Sequence, residues 1–197
     1  MSDIFETPIF VTSIYHKFVE DIDLKELSSI VLKYKEENKN CSRSGRSSFQ
    51  TDYFFNSYDN DIVKKLFETH ILPMSDHIIK FIWNYNRTYS KTEYWYNVNS
   101  KHSHNMQHNH IGSILSGVFY IKVPEQSGNI TFVRSESEVN ELSRLIDPNN
   151  TNCYTHSRYW SYPIEGKLVV FPSYLPHYVD ENLSDETRIS LSFNLMP

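Results

Sequence analysis

Apolar and polar positions change rhythm partway along this chain. From Asp23 to about Lys39, Leu24, Leu27, Ile30, Val31 and Tyr34 recur at helical spacing, with Lys25, Glu26, Lys33 and Glu37 opposite them. That is the pattern of an amphipathic helix with one buried stripe, and Asp23 stands where an N-cap carboxylate accepts the first free amide hydrogens. A second helical region is expected from about Asp61 to Tyr85, its apolar face made of Ile62, Leu66, Phe67, Leu72, Ile78, Ile79 and Ile82. Pro73 should kink or divide it, because a proline nitrogen has no hydrogen to give to the helix.

Beyond this region the period falls to two. Glu93 to Asn99 alternates, with Trp95, Asn97 and Asn99 on one side and Tyr94, Tyr96 and Val98 on the other. Further strands are expected at 114–123, 128–133, 167–172 and 187–195. In the last of these Ile189, Leu191, Phe193 and Leu195 share a face that should pack on the core, while Arg188, Ser190, Ser192 and Asn194 share the other. A polar face headed by Arg suits the lining of a pocket, and an ordinary half-exposed strand has the same alternation. The β-branched and aromatic stretch Thr7 to Tyr15 reads as an edge strand, with Pro8 near its start. Residues 40–49 read as a polar loop, and 134–166 as a long irregular insertion containing Tyr159, Trp160 and Tyr162; loops of this length are lids, binding segments or mobile stretches. Helices first and strands after point to an α+β fold, helices packed on one face of an antiparallel barrel or sandwich. The chain is expected to be a single domain, residues 1–90 forming a helical support and 91–197 the strand core.

Composition narrows the function more than the fold. The 197 residues are 39% hydrophobic and 15% aromatic with only 5 Gly, which suits an ordered sheet protein. A formal net charge of −5 gives no general attraction to nucleic acid, the local pair Arg43 and Arg46 apart. No apolar run approaches the roughly 20 residues needed to span a bilayer, and the first residues lack a basic stretch followed by an apolar one, so a cytoplasmic location and no membrane contact are expected. Cys41 and Cys153 belong to no Cys-x-x-Cys pattern, which argues against a disulfide framework or a thiolate zinc site. A reducing compartment is also one in which ferrous iron persists.

The candidate chemistry lies at residues 104–121, where potential metal ligands run into an apolar strand. His108 and His110 are two apart, and on a strand both imidazoles point to one face and can converge on one ion, whereas on a helix they would diverge. His177 follows the apolar strand 167–171 and a Pro-bounded turn, which can bring it back toward that pair. His102 and His104 form a second His-x-His and rank lower, since they lie farther from the strand.

His108-x-His110, His177, and Arg188-x-Ser190 eleven positions after His177 resemble the 2-oxoglutarate/Fe(II)-dependent oxygenase superfamily. There a His-x-Asp/Glu pair and a distal His hold iron, and a basic residue about ten positions later binds the far carboxylate of 2-oxoglutarate. Tyr120, in Ser116-Gly117-Val118-Phe119-Tyr120-Ile121, resembles the cosubstrate-binding Tyr of prolyl-4-hydroxylase-like members. More narrowly, Phe5-Glu6-Thr7-Pro8-Ile9, the Phe171-Pro172-Ser173 turn and the terminal Arg188-Ile189-Ser190 strand are similar to small oxygenases of phages and marine bacteria.

The resemblance implies a double-stranded β-helix, a jelly-roll or cupin-like core. It also implies His108, His110 and His177 as metal ligands and catalytic centre, with Fe(II), 2-oxoglutarate and O₂ as cofactor and cosubstrates. On the cosubstrate side it implies Arg188, Ser190 and Tyr120, with Asn97 and Asn99 as polar walls of the same pocket. A planar guanidinium can grip a carboxylate through two parallel hydrogen bonds. The expected reaction is hydroxylation of a small-molecule or peptide substrate with release of succinate and CO₂; the partners allowed are that substrate and a second copy of the chain, not nucleic acid. One position departs from the superfamily: His110 stands where a carboxylate is usual. A three-His cupin dioxygenase that does not use 2-oxoglutarate and a non-catalytic jelly-roll binding module are the alternatives at this level.

Overall fold

Strand β4 (Lys91–His108) is long enough to pair with different strands along its length. In this computed structural model, which describes residues 7, 11–41, 43–86, 88–134 and 152–197, its first half pairs antiparallel with β10 (Arg188–Met196) and its end with β9 (His177–Val179). Outward from β10 the order continues through β5 (Leu115–Lys122) and β8 (Lys167–Pro172) to β1 (Tyr15–Phe18). Outward from β9 it continues through β6 (Ile130–Val133) to β7 (Arg158–Ser161). Two further strands, β2 (Gly45–Gln50) and β3 (Phe54–Phe55), pair with β4 from its other edge. The sheet curls back on itself as a double-stranded β-helix, and the α+β architecture is that expected from the order of the elements.

Helix α1 (Leu24–Glu37) begins where the pattern placed it, with the Asp23 carboxylate accepting from the amides of Lys25 and Glu26 at 3.0 and 2.9 Å. Its buried residues Leu27 and Val31 join one large core with Phe67, Ile71, Ile79, Tyr94, Tyr96, Phe119, Leu191 and Phe193. Each such aliphatic burial contributes ~1.5–3 kcal/mol, so the apolar side of β4 and β10 is held by the helices. That leaves the other side of the same strands free to build a site. Tyr94 and Tyr96 reach through this core and donate to the Asp59 carboxylate at 2.7 and 2.9 Å, satisfying two buried hydroxyls with one acceptor.

Several expectations need correction. The chain does not divide at Pro73: α2 (Asp61–Leu66), a π-helical turn (Phe67–Ile71), α3 (Leu72–His77) and a second π-helical turn (Ile78–Ile82) follow without interruption. Pro73 falls in the first turn of α3, where the wider turn before it accommodates the missing amide hydrogen. The edge strand expected at 7–15 starts only at Tyr15, and residues 8–10 lie outside the described residues. Half of the supposed loop 40–49 is strand β2, bent at Ser47 with φ +54°. The insertion 134–166 contains β7, and its residues 135–151 lie outside the described residues. Among the described residues no helix is long and apolar enough to cross a membrane.

Candidate metal centre and its polar pocket

The inner face of β4, β10 and β5 is a ladder of polar rungs fixed by strand register. Arg188 lies opposite Asn99; Ser190 lies between Asn97 and Tyr120; Ser192 between Trp95 and Val118; and Asn194 between Glu93 and Ser116. Period-two geometry puts every one of these residues on the side away from the helices. The first three rungs, from Arg188 to Ser192, line a cleft together with Ser44, Asn105, Ile130, Phe171, Val179 and the histidines, and the Asn194 rung lies behind it.

At one end of the cleft His108, His110 and His177 each offer a ring nitrogen, and these atoms lie within 4.8 Å of one another. Ring centroids are separated by 5.0 Å for His108 and His110, 4.4 Å for His108 and His177, and 5.2 Å for His110 and His177. The His-x-His reading on a strand is half met. His108 is the last residue of β4, paired with His177 at the start of β9, and His110 sits in the turn beyond the strand. Its amide donates to the Ser173 carbonyl at 2.9 Å, which anchors that turn beside the strand ends.

Burial keeps all three rings neutral, as a metal requires. Desolvation pushes His177 down to about 3, with the neighbouring His108 adding to it; it pushes His110 down to about 4, again with His108 adding, and it lowers His108 as well. In two rings the position of the proton is fixed too. His108 Nδ1 lies 2.7 Å from the Met106 carbonyl and His177 Nδ1 lies 2.9 Å from the Leu175 carbonyl. A carbonyl can only accept, so each Nδ1 carries the hydrogen and each Nε2 keeps its lone pair for an ion. A neutral imidazole set with a deep pocket beside it suits a borderline divalent metal such as Fe(II).

At the other end Arg188 is buried, and its Nη1 donates to the carbonyls of Ser127 and Gly128 at 2.7 and 3.0 Å. Among the described residues no carboxylate lies within ion-pair distance of it, and its Nε has no partner. The Asn99 amide is buried, and neither its nitrogen nor its oxygen has a partner among the described residues. An uncompensated buried cation costs several kcal/mol, and buried polar groups are ordinarily paired. This end of the cleft therefore fits an anion that supplies the missing partners. The two backbone carbonyls pin one side of the guanidinium and leave Nε and its neighbouring edge for that anion. Tyr120 stays a neutral hydroxyl, since burial raises it to about 12 against the opposing effect of Arg188.

All eight residues singled out in the sequence, His108, His110, His177, Arg188, Ser190, Tyr120, Asn97 and Asn99, line this one cleft. Asn97 donates to Ser192 Oγ at 2.9 Å. His102 is not part of the cluster: it lies within β4 at an irregular position with φ +65° and faces Glu181. Of the loop 40–49 only Ser44 reaches the cleft, and none of residues 152–166 does. Asn105, which pairs with Val179 across the β4–β9 junction, also lines the cleft, and the Ser127–Gly128 carbonyls orient Arg188. The Gly-containing turn before β6 is the sequence signal of those carbonyls.

A family model described as "Putative 2OG-Fe(II) oxygenase" matches residues 93–194, just over half of the chain. No match is found among curated proteins. Solved structures with the same fold include a prolyl-4-hydroxylase from Pseudomonas putida, 14% identical, covering 94% of this chain and 92% of that one with a TM-score of 0.65. HygX from Streptomyces hygroscopicus, with nickel and 2-oxoglutarate bound, is 12% identical over 94% of this chain and 83% of its own, TM-score 0.60. A prolyl hydroxylase in complex with a hypoxia-inducible-factor peptide, from Trichoplax adhaerens, is 13% identical over 93% of this chain and 82% of its own, TM-score 0.61. At these identities the solved structures establish the shared fold.

Proposed function

The chain belongs to the 2OG-Fe(II) oxygenase family, and from that premise we propose that its iron is held by His108, His110 and His177 and its 2-oxoglutarate by Arg188. Fe(II), 2-oxoglutarate and O₂ are the cofactor and cosubstrates of this enzyme. Bound Fe(II) supplies the redox chemistry by which O₂ converts 2-oxoglutarate to succinate and CO₂ and oxidises a second substrate. The observation that carries the residue assignment is a buried guanidinium with no carboxylate beside it and no partner for its Nε among the described residues. Arg188 is held buried with its Nε free, on the same ladder of rungs that ends at three neutral histidines.

The chain's own residues divide the remaining work. His108 and His177 present Nε2 lone pairs because backbone carbonyls take their Nδ1 hydrogens. Arg188 orients the distal carboxylate, with Asn99 opposite it and Ser190 and Tyr120 on the next rung. Trp95 packs on His110 with ring centroids 5.9 Å apart, and Tyr53 packs on Trp95 at 4.8 Å, so this aromatic wall keeps water from one side of the histidines. His110, in place of a carboxylate, leaves the protein contribution to the metal's charge at zero, and the 2-oxoglutarate dianion becomes the main neutralising partner.

The substrate is a small molecule or a peptide, and the aromatic and amide walls of the cleft suit either. Residues 1–197 act as a single oxygenase domain, and two unpaired cysteines, Cys41 and Cys153, fit a cytoplasmic location in which iron stays ferrous. The reading is tested by turnover without added substrate: Fe(II)-loaded protein given 2-oxoglutarate and O₂ releases succinate slowly, and Arg188→Ala lowers that release several-fold at a 2-oxoglutarate concentration below the wild-type half-saturation. Succinate release equal in wild type and Arg188→Ala would remove Arg188 from the site.

A further inference from the structure

His110 differs from its two partners in what faces its Nδ1. His108 and His177 each point Nδ1 at a carbonyl, but His110 Nδ1 lies within hydrogen-bond distance of the side-chain nitrogen of Asn194, 3.4 Å away. An amide nitrogen donates, so at this position the ring must accept. The orientation of the Asn194 amide is itself decided by what lies behind it. Asn194 Nδ2 donates to Glu93 Oε1 at 2.6 Å, while Asn194 Oδ1 accepts from Ser116 Oγ at 2.7 Å, and Ser116 in turn meets Ser173 Oγ at 2.7 Å. A hydroxyl can serve either orientation of the amide by rotating. A carboxylate accepts only, so Glu93 fixes the choice. Glu93, Asn194, Ser116 and Ser173 are all buried, and the first three form one rung across β4, β10 and β5.

A neutral imidazole carries one hydrogen, and the rung leaves it at Nε2 of His110, where a metal would need a lone pair. We propose that Glu93 and Asn194 are positioning residues that hold metal-free His110 in its Nε2–H form, so that His108 and His177 take the metal first and His110 joins only when the Asn194 amide turns over. Turning the amide presents Oδ1 to His110, which then carries its hydrogen at Nδ1 and frees Nε2; the ring loses one proton and gains one, and its charge does not change. In the turned position Oδ1 faces the Glu93 carboxylate, and this opposition is the cost that the third ligand must overcome. The metal-dependent half of this inference rests on the assignment of the three histidines made above; the metal-free half does not.

The rung predicts a sign that a merely structural contact does not. A glutamine at position 93 accepts either orientation of the amide, so Glu93→Gln removes the opposition and should tighten Co(II) or Mn(II) binding by about tenfold, within the range over which residues behind a metal ligand act. In an Asn194→Ala background the same Glu93→Gln change should have no further effect, the signature of two residues acting as one unit. The direct experiment is long-range ¹H–¹⁵N NMR of the histidine rings in metal-free wild-type protein at neutral pH, followed by Co(II) titration of wild type and Glu93→Gln. Expected are Nδ1–H for His108 and His177, Nε2–H for His110, and a shift of His110 toward Nδ1–H in Glu93→Gln together with tighter binding. Nδ1–H at His110 in the wild type, or weakened metal binding in Glu93→Gln, overturns the proposal. The wild-type spectrum decides it even where a variant fails to fold. A wild type with the expected ring forms that takes up no metal contradicts the assignment of the iron site and leaves the Glu93–Asn194 rung supported.

Discussion

Arg188 and Asn99 stand opposite each other across β10 and β4, and both are buried with side-chain polar atoms that no group among the described residues satisfies: Nε of Arg188 and both amide atoms of Asn99. A protein that folds around such a pair accepts a cost that only a ligand removes. A charge-assisted bidentate contact to the guanidinium is worth roughly 1.5–3 kcal/mol. Arg188→Ala should therefore raise the 2-oxoglutarate Kd by at least about tenfold while leaving metal uptake nearly intact, and Arg188→Lys should recover part of the loss because a point charge lacks the planar fork. Isothermal titration of 2-oxoglutarate into the metal-loaded variants reads both.

Gly128 sets the position of that guanidinium. Its φ is +84°, and a Cβ there would stand 2.2 Å from the Asp180 carbonyl oxygen, while its own carbonyl accepts from Arg188 Nη1. Gly128→Ala must move backbone, at a cost of about 1–3 kcal/mol for the strained conformation alone. Thermal unfolding should show the loss of stability, and 2-oxoglutarate binding should weaken although residue 128 carries no side chain toward the cleft.

The three histidines should hold about one divalent ion per chain. His177→Ala should abolish uptake of Mn(II) or Co(II) and His108→Ala should nearly do so. His110→Asp should retain the metal and bind it at least as tightly, since a carboxylate adds the negative charge that this site lacks. Metal content after anaerobic gel filtration measures all three, and wild-type occupancy in both alanine variants would show that the ion sits elsewhere.

Asp59 is a test of the scaffold rather than the site. Its carboxylate accepts from Tyr94 and Tyr96, whose hydroxyls lie at the far side of the core from the cleft. Asp59→Ala leaves both phenols without a charged acceptor and should cost about 2–3 kcal/mol, a fall in Tm of about 4–12 °C for a chain of this size. Metal affinity at a temperature well below Tm should not change.

Much of this arrangement is legible in the amino-acid order because two-residue alternation is a local signal. Ile189, Leu191, Phe193 and Leu195 against Arg188, Ser190, Ser192 and Asn194 announces which side of β10 meets the helices. The N-cap at Asp23 is equally local. What escapes a sequence reading depends on register, which links residues far apart. Gly45-Arg46-Ser47-Ser48 is polar and becomes strand only because β4 extends past it and offers an unpaired edge. Pro73 is tolerated because a π-helical turn precedes it, a tertiary accommodation with no composition of its own. Asn194 belongs visibly to the polar face, but that Glu93 lies 2.6 Å behind it follows only from the pairing of β10 with β4. The three histidines show both sides of this: His108-x-His110 is read from spacing, whereas His177 meets them through the β4–β9 pairing.

Iron and 2-oxoglutarate are proposed to meet in this cleft, the metal on His108, His110 and His177 and the distal carboxylate on Arg188. The most direct measurement is titration of 2-oxoglutarate into the anaerobic Fe(II) protein, followed by the visible metal-to-ligand charge-transfer absorption of a chelated keto acid. Expected are a saturable band in the wild type, its absence in His177→Ala, and a midpoint displaced by at least about tenfold in Arg188→Ala. A wild type that binds Fe(II) but shows neither the band nor binding heat with 2-oxoglutarate would contradict it.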